Sequence, residues 1–121
     1  MQPVLLGICL DRGKEMRLSM IAMSLGIRFR PVAESEYGLP VGALAGDQVP
    51  AGKLQTLPVD GEMIVMAHMT EKQTDALLDA IRTSGMQPIR LKAVLTPTNR
   101  FWSCGRLYQE LRKEYFFLEG T

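Results

Sequence analysis

Two runs of five apolar residues, Val4–Ile8 and Met63–Ala67, constrain this chain more than any other feature. No polar side chain interrupts either run, so each reads as a strand buried on both faces, and a sheet built on them needs cover on both sides. The signals that follow are alike. Asp11 stands where a helix N-cap belongs, and Thr70-Glu-Lys-Gln73 is a capping box. Leu18, Ile21, Ala22 and Leu25 make one helical stripe. Leu77, Ala80 and Ile81 make the other, with Leu78 at its edge. Gly26 and Gly85 then close the two helices. From Val4 to Met63 the offset is 63 − 4 = 59 residues, and the same offset carries Asp11 onto Thr70, Leu18 onto Leu77 and Gly26 onto Gly85. Ile27-Arg-Phe-Arg-Pro-Val and Ile89-Arg-Leu-Lys-Ala alternate apolar and basic, as half-exposed strands do. One extra residue near Pro88 brings Phe29 onto Ile89 and Arg30 onto Arg90. The chain therefore reads as an internal repeat of two βαβ units, 4–32 and 63–92.

Two such units have two common solutions. One is an α+β ferredoxin-like four-stranded sheet, with the first and third strands central and an extra C-terminal helix. The other is an α/β parallel doubly wound sheet. Pro31 cannot donate to a ladder, so the second strand belongs at an edge, which favours the first solution. The length of 121 residues fits one domain, 1–121. Helices are expected near 11–25, 70–84 and 103–116, with a helical turn near Val41–Leu44 and a surface linker over 47–61. The apolar face opposite the two main helices is left for the last helix, the linker or a second subunit to cover.

Composition excludes several classes. Net charge is +1, so no global field draws the chain to nucleic acid or to an anionic membrane. Arg28, Arg30, Arg90 and Lys92 lie on equivalent strands, but an RNA platform needs stacking aromatics on the central strands, and these have none. Solvated edge strands that resist aggregation account for the four better. Two cysteines and one histidine give no metal-site spacing, and no cofactor motif is present. Cys9 and Cys104 are expected as free thiols, with Cys9 buried in the first strand. The N-terminus lacks a basic leader, and no apolar run approaches the roughly 18 residues of a membrane helix, which points to a soluble cytoplasmic protein. The eight methionines read as core filler.

Chemistry concentrates in Leu91–Trp102, where an amphipathic strand runs into a polar turn. Thr96 before Pro97 suits a helix start, and Ser103 offers a second start one turn on. Helix N-termini bind anions through free N–H groups. Thr96, Thr98, Asn99 and Arg100, with Lys92 on the strand and Trp102 as a stacking ring, are the candidate ligand-binding residues for a small anion. The plainer account is that threonine and asparagine satisfy a turn and that Trp102 packs. Arg100 reads as a clamp on turn carbonyls, on Glu71 or Glu110, or on an anion. His68 is a candidate base or a capping residue, and a Cys9–His68 dyad follows from their equivalence in the repeat.

The block Leu91-Lys-Ala-Val-Leu-Thr-Pro-Thr-Asn-Arg100, with Trp102 and Leu107-Tyr-Gln-Glu-Leu111, resembles a small bacterial domain family of unknown function. Tyr37-Gly38 with Leu39–Gly46 is similar to that family's N-terminal half. The resemblance implies a fold relative and no known activity. A non-catalytic binding or regulatory module is the leading expectation. A homodimer that hides its sheet face comes next, and an enzyme using Cys9 or His68 comes last, since no paired carboxylates or nucleophile motif is present.

Overall fold

The computed structural model describes residues 2–50, 52, 54 and 57–120, with side chains as far as residue 114. The sheet has four strands, β1 (Val4–Ile8), β2 (Arg28–Val32), β3 (Met63–Ala67) and β4 (Leu91–Val94), in the order β2-β1-β3-β4. Helices α1 (Arg12–Ser24) and α3 (Glu71–Thr83) join β1 to β2 and β3 to β4. Helix α2 (Val41–Leu44) is a single turn, and α4 (Cys104–Gly120) closes the chain. β1 pairs with β2 and β3 with β4 in parallel, while β1 and β3 run antiparallel, Val4 opposite Ala67 and Ile8 opposite Met63. That antiparallel seam excludes the parallel doubly wound sheet. The mixed α+β sheet with β1 and β3 central is compatible with the ferredoxin-like class, although each edge strand lies beside its own unit's first strand.

Both main helices start on caps readable in the sequence. Asp11 Oδ1 accepts from the Lys14 N–H at 2.8 Å, and Thr70 and Gln73 cap each other at 3.1 and 2.8 Å. β1, α1, β3 and α3 begin and end at positions that keep the 59-residue offset throughout. The following strands do not keep the expected 60. Val4 pairs with Arg28 but Met63 with Leu91, so β4 starts four residues later relative to its unit and runs to Val94, past the expected end at 92. Residues 86–90 take up the extra length. Ile89 is therefore not in the strand: it packs on the α1/α3 side, whereas Leu91 and Ala93 pack on the other.

Alternation sorts the central strands. Leu5, Ile64 and Met66 face Leu18, Ala22, Leu77 and Ile81 of α1 and α3. Val4, Leu6, Ile8, Met63, Val65 and Ala67 face Val41 and Leu44 of α2 and Cys104, Leu107 and Tyr108 of α4. The second sheet face is thus covered by the chain's own helices, with Val59 of the linker packed against them. The linker is tied down. Gln109 Nε2 donates to Pro58 O at 2.8 Å, Tyr108 Oη to Asp60 at 2.8 Å, and a Cβ on Gly105 would lie 2.1 Å from Leu57 O. Met63 and Met66 are core residues, but Met16, Met20 and Met23 are 64%, 66% and 75% exposed on α1, so the methionines are only in part core filler.

Candidate binding site

Each central strand ends on a strained residue. Cys9 has φ +58° and His68 φ +60°, left-handed values that cost a non-glycine residue on the order of 1–2 kcal/mol. Each turns the chain from a strand towards an N-cap two residues on. The antiparallel seam sends these turns to opposite ends of the sheet, with the five residues of a strand between them, about 17 Å. No Cys9–His68 dyad forms. Cys9 is also exposed, not buried in the strand, because the left-handed turn swings it out of the ladder; both cysteines are free thiols, and only Cys104 is buried.

The His68 turn is enclosed by residues distant in sequence. Asp47 side-chain oxygens lie 2.9 Å from His68 Nε2 and 3.2 Å from Arg100 Nε, and Arg100 Nη2 donates to Gln48 O at 3.2 Å. The His68 nitrogen is buried without an aligned hydrogen bond, so its short approach to Asp47 is a polar contact off the ring N–H direction. The carboxylate is 9% exposed and sits between two groups that can each carry positive charge. Arg100 is therefore a clamp, as expected, but on Asp47 and Gln48 rather than on Glu71 or Glu110. Its guanidinium also lies 4.8 Å from the Phe101 ring.

The polar turn beside it is fixed by its own side chains. Asn99 Oδ1 accepts from the Thr96 N–H at 2.8 Å, Thr96 Oγ1 from the Asn99 N–H at 3.0 Å, and Asn99 Nδ2 donates to Val94 O at 3.0 Å. Thr96 thereby takes the first N–H of the 3₁₀ turn Asn99–Phe101, whose N-cap is Thr98, while Ser103 Oγ accepts from the Arg106 N–H and caps α4. Trp102 is half-buried against the core, with the Arg106 guanidinium 4.2 Å above its ring. Lys92, Thr96, Thr98, Asn99 and Trp102 line one cleft of 370 Å³ between β4 and α4, and Arg100 points away from it. Among its described lining residues Glu110 and Glu114 stand against Lys92, with the Arg106 guanidinium beside the cleft on the Trp102 ring.

At the other end, Tyr37 lies against the Cys9 turn. Burial pushes its hydroxyl up, with the Cys9 and Cys104 thiols adding to the shift and a hydrogen bond from the Cys9 backbone opposing it. Burial likewise pushes Cys104 up to about 12. Glu36 is held below the ordinary carboxylate range by its hydrogen bond to Arg30, at 2.9 Å, and by the Ala33 N–H. A separate polar cleft of 450 Å³ lies at this end of β3 and β4, where Lys14 pairs with Glu62 at 2.7 Å and Arg112 with Asp60 at 3.7 Å. Among the described residues no three His, Cys, Asp or Glu side chains are grouped to hold a metal, and no helix is long and apolar enough to cross a membrane.

Asp47 was not legible as a site residue. It stands in the stretch read as surface linker, 53 residues from Arg100, and no local pattern announces so long a contact. Residues 62–117 match a domain of unknown function, DUF3783, which takes in β3, α3, β4, the polar turn and most of α4. No curated protein and no solved structure matches the chain.

Proposed function

We propose that this protein is a non-catalytic binding module whose ligand surface is the cleft between β4 and α4. The observation that carries the reading is a division of labour within one turn. Asn99, Thr96 and Arg100 spend their polar groups holding the strand end in place, while the exposed Lys92 and Thr98 and the half-buried Trp102 are presented to solvent on a rigid frame. Pre-organisation of this kind lowers the entropy cost of binding. The one Asp–His contact lies on the opposite side of the turn, against Arg100, so a hydrolytic constellation has little support here. Charge favours a neutral or cationic occupant over a small anion, because Arg100 is committed to Asp47 and Gln48. A reducing, cytoplasmic setting fits the two free thiols.

Trp102 is the only tryptophan and makes the test direct. Sodium phosphate, sodium acetate and a lysine-containing peptide are each titrated while Trp102 emission and the backbone resonances of Lys92 and Thr98 are followed. A saturable shift with the peptide is the expected result. Absence of any saturable change at these three residues with all three probes overturns the reading.

A further inference from the structure

The cleft is bounded by a strand edge, and the two edges of this sheet differ. On β2 the Arg28 N–H bonds to Pro3 O, so alternate residues turn their backbone inwards and Phe29 and Pro31 turn theirs outwards. Pro31 thus removes a donor where an added strand would need one. On β4 the Leu95 N–H bonds to Met66 O, so Leu91 and Ala93 face β3 and Lys92 and Val94 face outwards. No proline interrupts that edge. The Val94 carbonyl is taken by Asn99, which leaves the Lys92 N–H, the Lys92 carbonyl and the Val94 N–H directed to solvent. Val94 itself is 52% exposed.

Grooves flank the open edge on both faces. The one on the α4 side has Trp102 and Leu107 in its lining. The one on the α3 side, 560 Å³, has Ile81 and Met86. Lys92 borders both. An added strand sends successive side chains to opposite faces, so each groove would receive every second one. The α3-side groove is balanced in charge, Asp75 and Asp79 against Arg82 and Lys92, with Asp79 paired to Arg82, whereas the described lining of the α4-side groove sets Glu110 and Glu114 against Lys92. We propose that the outer edge of β4 accepts, as a fifth strand, an extended segment of another protein in which apolar and basic residues alternate, the basic ones on the α4 face towards Glu110 and Glu114 and the apolar ones on the α3 face towards Ile81 and Met86. The partner is identified by charge complementarity together with the free backbone groups, and the proposal rests on the binding-module reading of the same cleft.

The test uses a nine-residue peptide of alternating valine and lysine, and one of alternating valine and glutamate. Amide exchange is followed at Lys92, Ala93 and Val94. In the peptide-free protein Lys92 and Val94 should exchange fast and Ala93 slowly. The lysine peptide should slow exchange at Lys92 and Val94 at least tenfold, and the glutamate peptide should not. Val94→Pro removes one outward donor and should weaken binding by tenfold or more. Should that variant not fold, Glu114→Lys, at an exposed position, should weaken it several-fold. If the peptide shifts Trp102 emission but leaves Lys92 and Val94 exchange unchanged, the added strand is wrong while the cleft reading survives. Equal protection by both peptides overturns the proposed partner chemistry. Protection that appears without peptide as protein concentration rises would make a second copy of this chain the occupant, and that also overturns it.

Discussion

Cys9 and His68 occupy the same place in the two halves of the molecule. Each follows a buried five-residue strand, each lies near φ +60°, and each precedes an N-cap by two residues. Their surroundings have diverged. The Cys9 turn is left open to solvent, with Tyr37 against it. The His68 turn is enclosed by Asp47 from the linker and Arg100 from the polar turn. The backbone demand of a βαβ unit is therefore met twice in the same way, while of the two turns it is the His68 turn that is enclosed by side chains distant in sequence. That half is also the part that matches the domain of unknown function, and the linker is fastened onto it.

Gly105→Ala should give the largest effect on that fastening. The added methyl would sit 2.1 Å from the Leu57 carbonyl oxygen, a backbone atom that cannot rotate away. A loss of about 3 kcal/mol, at the upper end of overpacking costs, is expected in denaturant unfolding. Wild-type stability would mean that the linker can move off α4.

Glycine substitution at the two turns tests the contrast itself. Cys9→Gly relieves a left-handed residue whose side chain is exposed, so stability should stay level or rise by up to about 1 kcal/mol. His68→Gly gains the same relief but leaves Asp47 without one of its two partners, and should lose about 1–2 kcal/mol. Melting curves of both variants that shift in the same direction would show the two turns to be energetically equivalent.

Smaller effects come from pH, on the β1 side of the comparison. Glu36 has a folded pKa below its usual 4.5, chiefly through Arg30. Its contribution is present above that value and fades as pH falls through the lowered folded one, so Glu36→Gln should flatten the acid limb of a stability profile. Cys104 runs the other way. Its neutral thiol is favoured by folding, so its contribution is complete below the ordinary value of 9.0 and is lost as pH rises towards about 12. Cys104→Ala should lower the plateau and shallow the alkaline limb, as read by thermal melts between pH 8 and 11 (on the order of 1 kcal/mol for a methyl-sized cavity).

Periodicity and capping made the elements legible. The strands, both capped helices and the turn at Val41–Leu44 follow from local pattern, because each is decided by residues within a few positions. Three features were not legible. The start of β4 is set by how residues 86–90 span from α3 to the sheet, and alternation from Ile89 onwards gives no sign that Ile89 belongs to the other layer. The left-handed turn at Cys9 carries no glycine to mark it. The clasp on His68 depends on an aspartate in a segment of turn-like composition, where carboxylates are ordinary. Of the candidate site, the polar turn was visible as a cluster; which of its members face inwards was not, since Asn99 and Thr96 bond each other and only Arg100 reaches across the fold.

A double-mutant cycle between Asp47 and Arg100 tests most directly whether the linker is clasped to the second half. The carboxylate is nearly buried and Arg100 is 29% exposed, so the pair is partly screened, and a coupling of about 1–2 kcal/mol is expected from urea unfolding of wild type, Asp47→Ala, Arg100→Ala and the double variant. Single losses that add to within about 0.3 kcal/mol would contradict the clasp and leave Arg100 a surface charge.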